Sequence, residues 1–124
     1  MDSQFTHAAW RNTPVSKGGI GPIRFAIVAD LTKEIICRYG VQHPDGPALR
    51  ASFQIDRQGT IQHISLNNLS FGRDVDEMLR VVDALQFTEE HGEVCPAGWK
   101  QGDSGMKASA EGVAELLSHN AARL

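Results

Sequence analysis

The chain has 124 residues, 12 Lys and Arg against 15 Asp and Glu, and a formal net charge of −3, so it has room for one ordinary domain and no basic field to gather a polyanion. Its 41% hydrophobic and 22% charged residues are a globular composition. No apolar run reaches the roughly 18 residues of a membrane span, and the opening Met-Asp-Ser-Gln-Phe-Thr-His has neither charged leader nor apolar stretch, so a cytoplasmic setting is expected.

The first element reads as a helix. Asp2 or Ser3 can cap it, Phe5, Ala8, Ala9 and Trp10 cluster on one side, and Pro14 closes it before a Gly18-Gly19-Ile20-Gly21-Pro22 loop. Residues Ile23 to Ala29 form a mostly apolar run suited to a strand covered on both faces. Asp30 then caps a helix with Leu31, Ile35, Ile36 and Tyr39, and Gly40 stands as its stop. Arg50 to Asp56 alternates apolar and polar residues, Arg57-Gln58-Gly59 makes a turn, and Thr60 to Leu66 returns, which predicts a hairpin.

From Asp74 the residues Val75, Met78, Leu79, Val82 and Leu85 recur at helical spacing, predicting a helix that ends near Phe87. Glu89 to Met106 carries Gly92, Pro96, Gly98, Gly102 and Gly105 and reads as an irregular surface arm holding Cys95 and Trp99. A last helix from Ser109, with Val113, Leu116 and Leu117 as its stripe, should pack weakly. Helical and extended segments alternate, so the class is α/β or α+β.

Chemistry narrows to the two cysteines. In a reducing compartment Cys37 and Cys95 are expected as thiols, and with no HxxxH pair among the five His neither a metal site nor a cofactor is expected. Cys37, beside Ile35 and Ile36, should be buried. Cys95, in Val-Cys-Pro on a Gly-rich arm, should be reachable: either a small hydrophobe anchoring a loop, or a thiol open to disulfide exchange.

The run His91-Gly-Glu-Val-Cys-Pro-Ala-Gly-Trp99 resembles the resolving-cysteine segment of typical two-cysteine peroxiredoxins, the family of the peroxide-reducing component of alkyl hydroperoxide reductase and of thioredoxin peroxidase. Asp2-Ser-Gln-Phe-Thr-His7 with Trp10, Gly18-Gly-Ile-Gly21, Leu49-Arg50-Ala-Ser-Phe53 and Gly72-Arg73-Asp-Val-Asp-Glu77 follow in the family's order, so the resemblance covers essentially the whole chain. It implies an α/β, thioredoxin-like peroxiredoxin fold, with residues 1–88 as the later part of that domain and residues 89–124 as a C-terminal arm and helix.

It also implies a thiol peroxidase acting on hydrogen peroxide and organic hydroperoxides. A peroxidatic cysteine becomes a sulfenic acid and is captured by a resolving cysteine of the partner subunit, the place that Cys95 takes. Arg50 would stabilise the peroxidatic thiolate and the peroxide oxygens, and Arg73 would belong to the same network. The implied partners are a second copy, as a dimer paired along the Thr60–Leu66 strand or a decamer, and a thioredoxin or AhpF-like disulfide reductase.

The family's preceding half, with its Pro-x-x-x-Thr/Ser-x-x-Cys segment, is not among these residues, and Cys37, in Ile-Ile-Cys-Arg-Tyr-Gly, does not match it. The expectation is therefore an N-terminally truncated chain, Met1 standing where the family usually has a Val inside a strand, and inactive by itself. A non-catalytic dimerisation or complementation module is the alternative. The Gly18–Gly21 loop resembles one that works with a Tyr-Phe pair in peroxide-sensitive members; Leu116-Leu117 stands in place of that pair, which implies a looser arm.

Overall fold

The computed structural model describes residues 2–120 and resolves them into two compact units. One runs to Ser52 and takes in Ser65–Gly72; the other takes Phe53–Ile64 and everything described from Arg73 on.

In the first unit α1 (Gln4–Asn12) begins where Ser3 Oγ accepts the Thr6 amide at 3.1 Å. A hydroxyl at this position satisfies one of the amides that a first turn leaves without a partner. A short 3-10 turn, Val15–Lys17, follows, and the indole of Trp10 donates to Gly18 O at 3.1 Å, tying the glycine loop back to the helix. Any side chain at Gly19 would run into the backbone of Thr13, so the close return depends on that glycine.

Helix α2 (Glu34–Arg38) is shorter than the sequence suggests. Asp30 does cap it, but across an intervening turn: its Oδ1 and Oδ2 accept the amides of Ile35 and Ile36 at 3.2 and 3.1 Å. Lys33, at φ 63°, makes the turn that separates cap from helix. The stop is as expected. Gly40, at φ 66°, donates to Cys37 O while Val41 donates to Ile36 O, the paired bonds of a Schellman motif, and Ile36 and Val41 are the buried apolar pair that accompanies it.

Ile23–Ala29 is not a strand. Among the described residues the sheet is two-stranded, so this apolar run has no ladder to join; Phe25 and Val28 stay 70% and 67% exposed. Periodicity reports which residues want cover, and a strand also needs a neighbour to hydrogen-bond.

The hairpin forms as predicted, from β1 (Arg50–Ile55) and β2 (Ile61–Asn67). Asp56 organises its turn, accepting the Gln58 and Thr60 amides on Oδ1 and the Gln62 amide group on Oδ2, with Gly59 at φ 86°. A three-residue loop of this length calls for a left-handed residue before the return strand. The hydrogen bonds, first of all that from Gln62, hold the Asp56 carboxyl below its ordinary range.

In the second unit α3 (Val75–His91) outruns the predicted end at Phe87 by one turn. Asp74 caps it through the Glu77 amide at 3.0 Å, and Gly92, at φ 68°, closes it. The arm that follows is more regular than its glycines suggest: Val94 and Met106 exchange both backbone hydrogen bonds at 2.9 Å and close residues 94–106 into a loop. Trp99 lies inside it at 3% exposure. Helix α4 (Ala110–Asn120) starts with Ser109 Oγ accepting the Gly112 amide, and its Val113 and Leu117 remain 42% and 46% exposed, the weak packing expected.

Candidate functional site

Cys95 sits just after α3 ends, where the chain has turned back along the helix at Gly92. Its Sγ donates to Ala84 O at 3.7 Å and lies 3.9 Å from Thr88 Oγ1, so the thiol rests half-buried against the third and fourth turns of the helix. Both sulfur contacts are long and a thiol is a weak donor, so little enthalpy holds it there. Cys37 is the exposed one, which reverses the sequence expectation. Ile35, beside it, is itself 41% exposed, because α2 is a helix of 5 residues with one buried position, Ile36.

The arm is secured beyond the cysteine. Trp99 packs on Phe87 with ring centroids 5.0 Å apart, Phe87 stacks on His91 at 4.3 Å, and the Trp99 indole donates to Asp103 O at 3.0 Å. Arg80 Nη1 donates to Trp99 O at 2.9 Å. The same guanidinium grips Glu77 with two bonds, Nε to Oε2 at 2.6 Å and Nη2 to Oε1 at 2.7 Å. Glu77 is held below the usual carboxylate range by those bonds from Arg80, and Arg80 above its own ordinary value by the bonds to Glu77. Sequence reading passed over Arg80; the signal for it was the Glu77–Arg80 spacing, which puts opposite charges on neighbouring positions of one helix face.

Arg50 belongs to the first unit, is exposed, and its Nε donates to Leu69 O at 2.8 Å, so it pins the loop after β2. Arg73 belongs to the second unit and is exposed immediately before the cap Asp74. Cys95 meets α3 at Ala84, which is about 14 Å of helix rise beyond Val75. Arg73 thus stands just before the first turn of α3, while Cys95 rests on its third and fourth turns. Among the described residues no group of three or more His, Cys, Asp or Glu is arranged to hold a metal ion, and no helix is long and apolar enough to cross a membrane.

The class of the fold is that of the thioredoxin-like peroxiredoxins, as its likeness to solved structures shows. The reduced 2-Cys peroxiredoxin of Plasmodium vivax superimposes with a TM-score of 0.90 at 50% identity, over 94% of this chain and 61% of that one. The family model of the AhpC/TSA family matches residues 1–64, and that of the C-terminal domain of 1-Cys peroxiredoxin matches residues 84–119. The chain belongs to the AhpC/TSA family. It is 54% identical over 124 residues to alkyl hydroperoxide reductase C of Helicobacter pylori and 49% identical over 122 residues to peroxiredoxin-2 of Rattus norvegicus. These matches take in 100% and 97% of this chain but 63% and 62% of the two relatives, so the chain spans less than two thirds of their length.

Proposed function

We propose that the polypeptide carrying these residues is a thiol peroxidase in which Cys95 is the resolving cysteine. A peroxidatic thiolate lying outside residues 1–124 attacks the O–O bond of a hydroperoxide, leaving an alcohol or water and becoming a sulfenic acid. The Cys95 thiol then attacks that sulfenic sulfur, expelling water and forming a disulfide. A dithiol reductase of the thioredoxin or AhpF-like kind returns both thiols.

The observation that carries this reading is the Cys95 thiol itself, half-buried with only long contacts to Ala84 O and Thr88 Oγ1, in an arm whose other fastenings are strong. Such a thiol is sheltered at rest yet inexpensive to lift. Arg50 and Arg73 are assigned to the peroxidatic pocket, where permanent cations favour the thiolate and the departing oxygen. A homodimer through β2, its assembly into a decamer, and a cytoplasmic location complete the proposal.

The test is oxidation of the full-length protein by one equivalent of hydrogen peroxide, read on a non-reducing gel. A Cys95-dependent disulfide that Cys95→Ser abolishes and Cys37→Ser leaves intact is expected. A disulfide that survives Cys95→Ser overturns the assignment. Residues 1–124 alone should consume almost no peroxide.

Exposure of Phe25, Val28 and Leu31 at 70%, 67% and 67% favours a second reading, a non-catalytic module that completes its core on another polypeptide. Co-expression with an N-terminal half of a peroxiredoxin tests it, and failure of the two to co-purify removes it.

A further inference from the structure

Arg80, Ala84 and Thr88 fall at successive i, i+4 positions and so form one stripe along α3. The arm touches this stripe at two places. Cys95 meets Ala84 and Thr88 through its sulfur at 3.7 and 3.9 Å, and Trp99 meets Arg80 through its carbonyl at 2.9 Å. Between them the chain makes a turn closed by the Trp99 amide on Pro96 O at 3.1 Å. The two fastenings differ in kind, a pair of sulfur contacts at one and a charge-assisted hydrogen bond at the other.

We propose that Arg80 is a positioning residue for Cys95: oriented by Glu77, it holds the Trp99 carbonyl against α3 and so sets how readily the turn bearing Cys95 lifts from the helix to present its sulfur. The inference rests on the reading of Cys95 as a sulfur donor, and supplies what that reading lacks, a named control on its release.

The geometry makes the control specific to Arg80. A guanidinium can engage both Glu77 oxygens and still have Nη1 left for Trp99 O, whereas an ammonium has no such planar fork. The packing of Trp99 on Phe87 holds the ring but not the carbonyl. Removing the guanidinium therefore frees the Cys95–Trp99 backbone while the indole stays seated.

The experiment uses the reduced full-length protein with no peroxide. Two quantities are read: the rate of Cys95 alkylation by iodoacetamide, with Cys37 as the internal reference, and amide hydrogen exchange across residues 94–106. Arg80→Gln should raise both about tenfold, the scale of losing one hydrogen bond to a charged group, and leave Cys37 unchanged; Arg80→Lys should fall between Arg80→Gln and wild type. A change within twofold in both quantities overturns the proposal, as does Arg80→Lys reacting as fast as Arg80→Gln. Should Arg80→Gln lose helical far-UV signal, Glu77→Gln is read instead against the same twofold limit. Because no disulfide forms in this experiment, its failure leaves the peroxidase reading standing, and a failure of that reading shows separately, as a missing peroxide-driven disulfide.

Discussion

Trp99 lies over Phe87 with an interplanar angle of 46° and centroids 5.0 Å apart, and this contact joins the arm to the last turns of α3. Trp99 is exposed by only 3%, so an arm with the glycine content of a loop has a buried anchor in this indole. Trp99→Ala should destabilise the second unit by about 3 kcal/mol, the lower end for removing a buried aromatic. Urea denaturation followed by far-UV circular dichroism measures it. Phe87→Leu, which leaves the Arg80 bond to the Trp99 carbonyl in place, should cost less than half as much.

Asp30 and α2 give a second prediction, because one carboxylate caps two amides. Asp30→Ala removes acceptors from both Ile35 and Ile36 and should cost about 1–2 kcal/mol. Asp30→Asn keeps one acceptor oxygen and should cost about half of that. Equal losses for the two variants in thermal melts would show that the capping geometry does not stabilise the first unit.

The carboxylates make stability fall in acid. Glu77, Asp56 and Glu111 are all held below their ordinary pKa, Glu77 by its bonds from Arg80, Asp56 chiefly by Gln62 and Glu111 chiefly by a backbone hydrogen bond at the start of α4. A carboxyl depressed in the folded chain takes up its proton more readily when unfolded, so it stabilises the fold above its unfolded pKa and loses that contribution as pH falls through the folded one. Melting temperature should be flat above about pH 5 and fall below about pH 4.5, where unfolded carboxyls protonate. Glu77→Gln should flatten part of that fall, and a melt curve identical to wild type from pH 5 to 3 would remove Glu77 from the account.

Much of this was readable in the residues. Ser3, Asp74, Gly40 and Gly59 each do at their positions what their backbone preferences and short polar side chains suggest, because a cap or a turn is a local event. Ile23–Ala29 misled because a strand is not local: its apolar pattern asks for cover that the described residues do not provide. Cys37 is exposed where burial was expected for the same reason, since burial depends on which elements arrive, and α3 arrives at Cys95, which is half-buried, and not at Cys37. Trp99 reads in the sequence as one residue of an irregular arm, yet it is the buried apolar centre of the second unit. The Glu77–Arg80 spacing is legible on one helix face, but the bond from Arg80 to the Trp99 carbonyl is not, because that carbonyl lies 19 positions away.

Strand β2 carries the last prediction. Along a strand alternate residues share a face, and here Ile64 and Leu66 stand on one face, 53% and 49% exposed, while His63, Ser65 and Asn67 on the other are half-buried. An apolar pair left outward on a terminal strand invites a second chain to cover it and to pair with its edge. Under the proposed homodimer, replacing both by charge, Ile64→Glu with Leu66→Glu, should shift the full-length protein from dimer to monomer in sedimentation velocity at micromolar concentration, because two copies facing across a two-fold axis would bring four carboxylates together. Ile61→Glu, on the opposite face, serves as the comparison and should leave the dimer in place. A double variant that sediments like the wild type would move the dimer contact away from β2.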